Sequence, residues 1–210
     1  MKLSNLFKKL SIAGVLGSSL LLGACTQSDI NDTMSIAKDV VEIGSQVKDL
    51  TTDNKPTAPE RKVIKGVKVV DGDTLKYQEN GQTKEIRLLL VDTPETVHPK
   101  LGVQPYGKEA SNFTKKEILL AKKVELEYDP ADSGTDKYGR ELGYVYVDGK
   151  SLQELLLEKG LARYAYHYKD YYVHEDEYMK AEQKAKQKGV KIWSTKGYAT
   201  DEGFNTSVIR

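Results

Sequence analysis

Four consecutive apolar residues, 88–91, lie between Arg87 and Asp92. Such a run is typical of a β-strand that is buried on both faces, and Pro94 then directs the chain out of the sheet because proline cannot donate a ladder hydrogen bond. Asp92 and Glu95 are therefore expected near the end of a buried strand, where two carboxylates repel each other unless a cation joins them. Only oxygen ligands are available here, and the domain from Lys62 onward contains no cysteine, which favours calcium over zinc.

Five short strands are predicted from Lys62 onward, over residues 63–69, 74–78, 83–91, 123–128 and 142–147. A strong hairpin signal, Asn80-Gly81, separates the second strand from the third. Five strands with a helix inserted between the third and the fourth fit a small Greek-key barrel of the OB type. The expected fold class is α+β, mainly β, with about three helices.

The first predicted helix covers residues 106–122, and its inner face is expected to carry Ala110, Phe113, Leu120 and Ala121. A capping box over residues 151–154 opens a short second helix, which Gly160 can close in a left-handed conformation. A polar third helix runs from about His174 to Lys188 and stops at Gly189. We expect this domain over residues 61–196 and a C-terminal tail over residues 197–210.

The first 60 residues do not have the pattern of a folded core. Residues 1–24 carry three lysines and then an apolar run, which is typical of an export signal and short for a membrane span. Cys25, the only cysteine, ends the tetrapeptide LGAC, which looks like a bacterial lipobox. We expect Cys25 to be acylated and to hold the exported protein on the extracytoplasmic face of a membrane by lipid alone. A leftover cysteine beside a signal-peptidase site is the alternative, and clipping of the anchor stays open.

Residues 25–60 are predicted to be a polar linker that can hold a short amphipathic helix. Without residues 1–24 the chain has 29 basic and 31 acidic residues, a net charge of −2. Residues 61–210 hold 26 basic and 24 acidic residues, a net charge of +2. Because this balance is only mildly basic, a nucleic-acid function has to rest on a local patch.

Further acidic and arginine residues allow more than one interpretation. Asp71 and Asp73 lie at a strand bend, where Asp-Gly is common for conformational reasons alone. Five residues separate Arg87 from Asp92, and on a straight strand an odd separation places two side chains on opposite faces. The two converge only if a bend or bulge intervenes. Arg140 alone is typical of a turn, but two guanidinium groups together match phosphate oxygens.

Three motifs in one order are highly specific: VDGDT at residues 70–74, RLLLVDTPET at residues 87–96 and DKYGR at residues 136–140. They resemble the staphylococcal nuclease, or thermonuclease, family, and the likeness extends over residues 70–193. The resemblance implies an OB-fold nuclease that uses Ca²⁺. It also implies cleavage of DNA and RNA to products that end in a 3′-phosphate.

The resemblance implies roles for the acidic residues of the first two motifs. Asp73 and Asp92 correspond to carboxylate ligands of Ca²⁺, and the main-chain carbonyl of Thr93 corresponds to a third ligand. Asp71 lies close by without being a ligand. Glu95 corresponds to the general base that orients or deprotonates the attacking water, in agreement with the chemistry of a carboxylate.

The resemblance also implies how the substrate is held. Arg87 and Arg140 correspond to the arginines on the scissile phosphate, where fixed positive charge stabilises a transition state with negative equatorial oxygens. Lys137 and Tyr138 correspond to groups on the neighbouring 3′-phosphate.

Two tyrosines, Tyr166 and Tyr168, correspond to residues that line the nucleotide pocket. Stacking on tyrosine accepts any base, so we expect weak sequence preference and action on single-stranded or unpaired regions. Most of the other tyrosines are expected in the core or in surface packing.

Two positions depart from the family pattern, Leu101 in place of a lysine and Asp170 in place of a proline. His174 and Glu127 match a structural pair of the family. The expected protein is a monomeric, lipid-anchored nuclease. The rivals are a nucleic-acid-binding OB-fold lipoprotein without catalysis and a surface lipoprotein whose linker helix binds a partner.

Overall fold

The fold is organised around a mixed β-sheet. In the computed structural model, which describes residues 60–96 and 102–209, this sheet has seven strands. The strands of the described chain are β1 (Arg61–Val63), β2 (Lys65–Val69), β3 (Thr74–Glu79), β4 (Gln82–Leu88), β5 (Val91–Asp92), β6 (Val124–Glu127), β7 (Glu141–Val147), β8 (Lys150–Ser151), β9 (Arg163–Tyr164), β10 (Ala199–Thr200) and β11 (Gly203–Phe204). The helices are α1 (Gly107–Leu120), α2 (Leu152–Glu158) and α3 (Glu175–Lys188).

The main sheet closes on itself. Its order is β1-β6-β7-β4-β3-β2, with β8 paired to β7. Only Ile64 separates β1 from β2, so one stretch of chain pairs with β6 at one end and with β3 at the other. The β4–β7 pair is parallel and the other pairs of this sheet are antiparallel. This closure confirms the predicted five-stranded barrel, because β1 and β2 together form one of the five strands.

The predicted turns and caps occur where the sequence placed them. Asn80 and Gly81 have φ values of 50° and 78°, the two positive values of a tight hairpin. The Ser151 side chain accepts a hydrogen bond from the Glu154 main-chain N–H at 3.2 Å and caps α2. Gly189 ends α3 with φ of 59°. Local chemistry therefore determines these element boundaries.

Two local predictions are wrong. Leu120 was expected on the inner face of α1, but it is 67% exposed, because the helix buries Gly107, Ala110, Ser111 and Thr114. The strand predicted over residues 83–91 ends at Leu88, and the chain turns at Leu90 with φ of 64°. Val91 and Asp92 then form β5, which pairs with β9 instead of continuing β4.

The core fills the barrel and the space between the barrel and the helices. It is rich in tyrosine as well as aliphatic residues, and its largest fully buried side chains include Tyr77, Tyr144, Tyr172, Tyr178 and Tyr198. Their hydroxyl groups find polar partners, such as Asp129 for Tyr144 at 2.7 Å. The described residues include no helix that is both long enough and apolar enough to cross a membrane. Cys25, the export signal, residues 25–59 of the predicted linker and Leu101 lie outside the described residues.

Candidate active site

The turn between β2 and β3 places two aspartates in a buried corner. Gly72 allows the turn to approach α1 closely, because a Cβ there would lie 2.6 Å from Thr93 Oγ1 and 3.0 Å from the Ala110 Cβ. The Asp71 carboxylate accepts hydrogen bonds from the Gly72 N–H at 2.7 Å and from the Thr96 hydroxyl at 2.7 Å. Asp71 thus fixes the loop that ends at Thr96.

Asp73 contacts the segment that follows β5. Its Oδ2 accepts hydrogen bonds from the Thr93 main-chain N–H at 2.8 Å and from the Thr93 hydroxyl at 3.0 Å. Its Oδ1 forms an ion pair with Arg87 Nη1. The predicted metal ligands Asp73 and Thr93 therefore lie in direct contact, although 20 residues separate them in the chain.

Arg87 joins the two predicted carboxylate ligands. Its Nη1 pairs with Asp73, and its Nη2 donates to Asp92 Oδ1 at 3.0 Å. The bend at Leu90 supplies the change of direction that the odd spacing required, so Arg87 and Asp92 converge. Asp73 and Asp92 are both buried and both face this guanidinium group.

Arg163 belongs to the same cluster, and the sequence interpretation missed it. It is 5% exposed, its Nε donates to Asp92 Oδ2 at 2.9 Å, and its Nη2 lies 2.8 Å from the same oxygen. The contact follows from the β5–β9 register, which places Asp92 opposite Arg163. The available signal was a charged residue inside the apolar segment 161–165. Such a residue needs a partner when it is buried.

Tyr166 forms the solvent-facing wall of this cluster. It is 42% exposed, its hydroxyl donates to Asp92 Oδ1 at 3.3 Å, and its ring lies 5.4 Å from the Arg87 guanidinium carbon. Burial and the charge of Asp92 raise the pKa of Tyr166, so the hydroxyl stays protonated near neutral pH. The Tyr168 ring lies 6.1 Å from the Tyr166 ring and is 78% exposed. Two aromatic faces next to the carboxylates are thus accessible to a base.

The predicted phosphate-binding residues form a second group. Asp136 accepts hydrogen bonds from the Arg140 side chain at 2.7 Å and from the Arg140 and Tyr138 main-chain N–H groups. Burial alone would raise the pKa of Asp136, but these hydrogen bonds lower it overall. The Lys137 ammonium and the Arg140 guanidinium lie 5.1 and 5.3 Å from the exposed Tyr138 ring. The turn therefore presents two positive charges beside one aromatic face.

The parallel β4–β7 pair brings the two groups to neighbouring strands. Arg140 immediately precedes β7, whose first residue, Glu141, is in register with Ile86. Ile86 is adjacent to Arg87, so the predicted arginines enter the site from adjacent strands of one sheet. None of the hydrogen bonds and ion pairs described above joins the side chains of Arg87 and Arg140.

The main chain of Glu95 is held firmly. Its N–H donates to Gln104 Oε1 at 2.8 Å, and its carbonyl accepts from the Gln104 N–H at 2.8 Å. A Cβ at Gly107 would lie 2.7 Å from the Glu95 carbonyl oxygen, so the start of α1 packs closely against this loop. Glu95 follows Asp92 by three residues and is half-buried.

The donor set of this cluster fits a hard cation. Within residues 60–96 and 102–209, no three His, Cys, Asp or Glu side chains form a group that could hold a metal ion. Asp73 and Asp92 nevertheless offer two buried carboxylates around one point, without sulfur or imidazole. Such oxygen ligands suit Ca²⁺, whose remaining ligands are commonly main-chain carbonyls and water.

Comparison with known proteins identifies the family and several relatives of this chain. Residues 85–195 match the family described as staphylococcal nuclease homologues. The SPbeta prophage-derived endonuclease YokF of Bacillus subtilis (strain 168) is 52% identical over 141 residues, which are 67% of this chain and 47% of YokF. Endonuclease YncB of the same organism is 41% identical over 199 residues, 90% of this chain and 93% of YncB. The thermonuclease of Staphylococcus hyicus is 43% identical over 130 residues, 62% of this chain and 75% of that protein.

The fold and the site define an OB-fold hydrolase of the nuclease class. The chain belongs to the staphylococcal nuclease family, which confirms the resemblance found in the motifs. It spans about half the length of YokF but nearly all of YncB.

Proposed function

We propose that this protein is a Ca²⁺-dependent nuclease that cleaves DNA and RNA and leaves 3′-phosphate ends. The observation that carries this proposal is the contact of one arginine, Arg87, with two buried carboxylates, Asp73 and Asp92, beside the accessible tyrosine Tyr166. The arginine can bind a phosphate oxygen, the two carboxylates can hold a cation, and the tyrosine ring can stack on a base. Together these groups are suited to binding and cleaving a phosphodiester.

In this proposal Asp73 and Asp92 hold the cation, and the Thr93 carbonyl contributes a third protein ligand. Bound Ca²⁺ supplies positive charge that offsets the charge developing on the phosphate oxygens. Arg87 and Arg140 add the fixed guanidinium donors that are complementary to that charge. Glu95 accepts a proton from water as the water oxygen attacks phosphorus, and the bond from phosphorus to the 5′ oxygen breaks. The 5′ oxygen takes a proton from solvent water and leaves as a hydroxyl, and the phosphate stays on the 3′ oxygen.

Substrate placement in this proposal uses the exposed rings. Tyr166 and Tyr168 stack on a base, while Lys137 and Tyr138 bind the neighbouring phosphate. Because stacking needs an accessible base face, single-stranded or unpaired regions are preferred. The protein acts as a monomer, is exported, and is held to the extracytoplasmic face of the membrane by lipid on Cys25.

The rival is an OB-fold module that binds nucleic acid without cutting it. The contact of Arg87 with both Asp73 and Asp92 favours the nuclease, because a binding surface does not need a buried pair of carboxylates, which repel phosphate. Release of acid-soluble nucleotides from DNA and RNA, with and without a calcium chelator, separates the two.

We expect release to require Ca²⁺, Zn²⁺ to restore it only in part, and a phosphatase to remove terminal phosphate from the 3′ ends. Glu95→Gln should retain substrate binding in Ca²⁺ and lose turnover by roughly 10²–10⁴-fold. Full release without any divalent cation would overturn the metal assignment. Binding without release would favour the rival.

A further inference from the structure

The C-terminal hairpin, residues 198–205 with β10 and β11, contacts two residues that adjoin the site, Arg163 and Pro105. It lies beyond residue 195, where the match to the family ends. The hairpin is closed by the β10–β11 pairing and by a hydrogen bond from the Asn205 N–H to the Tyr198 carbonyl at 2.7 Å. A peripheral segment of this kind would ordinarily be assigned to stability alone.

Its first contact reaches Asp92 through Arg163. While Nε and Nη2 of Arg163 face Asp92 Oδ2, Nη1 donates to the Asp201 carbonyl oxygen at 3.1 Å. The guanidinium carbon lies 5.8 Å from the Phe204 ring and 5.7 Å from the Tyr166 ring. The Arg163 guanidinium group thus lies between Phe204 of the hairpin and Tyr166. Its orientation determines which oxygen of Asp92 faces Arg87.

Its second contact reaches Glu95 through the chain that precedes α1. The fully buried Tyr198 donates from its hydroxyl to the Pro105 carbonyl at 2.5 Å, and its ring lies 6.0 Å from the Tyr106 ring. Gln104, adjacent to Pro105, accepts a hydrogen bond from the Glu95 N–H with its side-chain Oε1 and donates its own N–H to the Glu95 carbonyl. The hairpin therefore supports the loop of the proposed base as well as the proposed metal ligand.

We propose that the C-terminal hairpin is a positioning element of the active site and that Arg163 is the positioning residue that orients Asp92 towards the cation. The proposal rests on the function proposed above. Arg163 holds Asp92 Oδ2, so that Oδ1, which faces Arg87 and Tyr166, is directed towards the cation site, as outer-shell partners of metal ligands do. Tyr198 acts in parallel on the Glu95 loop.

Arg163→Lys in the full chain tests the first contact, because lysine keeps the charge but cannot contact Asp92 and the Asp201 carbonyl with one planar fork. The matched control is Arg61→Lys. Arg61 donates to the buried Glu127 at 2.9 Å and makes no contact with the site residues described above. Calcium affinity is measured by titration calorimetry, and melting temperatures give the cost in stability.

We expect Arg163→Lys to weaken Ca²⁺ binding by roughly 10–100-fold, the usual effect of losing an outer-shell partner, and Arg61→Lys to leave it within twofold. If Arg163→Lys binds Ca²⁺ like the control while melting earlier, the arginine is structural and the inference is wrong. A wild-type chain that neither binds Ca²⁺ nor cleaves would instead overturn the proposed function.

Phe204→Ala and Tyr198→Phe test the hairpin itself and decide the matter if Arg163→Lys does not fold. Phe204→Ala should weaken Ca²⁺ binding in the same direction as Arg163→Lys. Tyr198→Phe removes only the hydroxyl contact to Pro105, so it should lower kcat at saturating Ca²⁺ without changing calcium affinity. Folded variants with wild-type calcium affinity and kcat would show that the hairpin does not position the site.

Discussion

Arg87 and Asp92 are five residues apart, yet Arg87 Nη2 lies 3.0 Å from Asp92 Oδ1. On a straight strand their side chains would point to opposite faces. The left-handed conformation of Leu90, with φ of 64°, turns the chain between them and moves Asp92 from the β4 sheet into pairing with β9. A backbone conformation that is costly for leucine therefore brings together the charges of the site.

For catalysis by Arg87 and Arg140, the planar shape of the guanidinium group should matter more than its charge. Lysine at either position keeps the charge, but one ammonium cannot match two oxygens as a planar fork does. We expect Arg87→Lys and Arg140→Lys each to lower kcat by about two orders of magnitude, with a smaller effect on binding. Single-turnover cleavage of a short oligonucleotide measures this, with Arg61→Lys as control. Rates like that of the wild type would assign the chemistry to other residues.

The site should require glycine at position 72, because there is no room for a larger side chain next to Thr93. A Cβ at Gly72 would approach Thr93 Oγ1 to 2.6 Å, and that hydroxyl donates to Asp73. Gly72→Ala should therefore displace Thr93 and lower kcat by about tenfold or more, since small misplacements in active sites are costly. It should also cost about 1–3 kcal/mol in unfolding free energy, as overpacking does.

Gly134→Ala is the matched control for this substitution. A Cβ at Gly134 meets nothing within 4 Å, so both kcat and unfolding free energy should stay close to those of the wild type. Equal behaviour of the two variants in denaturant unfolding and in cleavage would contradict the packing argument for Gly72.

The parts of the structure that the sequence predicted are those determined by local chemistry. The hairpin at Asn80 and Gly81 and the cap at Ser151 depend on residues within a few positions. Arg163 was missed because its partner, Asp92, lies 71 residues away, and only the β5–β9 pairing joins them. The bend at Leu90 was missed because leucine does not favour a positive φ, and burial of the whole apolar run overrides that preference.

Tyr166 offers a way to separate stacking from the hydrogen bond to Asp92. Tyr166→Ala removes both, and we expect it to raise KM more than it lowers kcat, because stacking is present in the ground state and the transition state alike. Tyr166→Phe keeps the ring and loses only the 3.3 Å contact with Asp92 Oδ1, so its KM should stay near the wild-type value. Steady-state kinetics on single-stranded DNA compare the two, and an equal rise in KM for both would place the effect on the hydroxyl.

The pair of His174 and Glu127 should make stability depend on pH. His174 Nε2 lies 2.7 Å from Glu127 Oε1, and Arg61 contacts the other oxygen of Glu127. Burial lowers the pKa of His174, but the hydrogen bonds and charges of Glu127 and Glu177 outweigh it and raise the pKa above 6.5. Burial likewise raises the pKa of Glu127, but hydrogen bonds from His174 and Arg61 lower it below 4.5.

The pKa shifts of His174 and Glu127 determine the pH range in which this pair stabilises the folded protein. A raised histidine pKa gives stability that is complete below 6.5 and is lost as pH rises through the folded value. A lowered glutamate pKa gives stability that is present above 4.5 and is lost as pH falls through the folded value. Their joint contribution is therefore greatest between these usual values.

Replacement of His174 should thus be most harmful in mildly acidic solution. We expect His174→Gln to lower the unfolding free energy by about 2 kcal/mol or more near pH 5.5, because it leaves Glu127 buried without one of its partners. The loss should shrink as pH rises above the folded pKa of His174, where the wild-type imidazole is also neutral. His167→Gln is the control, since His167 is exposed and stacks on Tyr164. Urea unfolding across this pH range decides it, and a loss that is constant with pH would mean that His174 contributes packing alone.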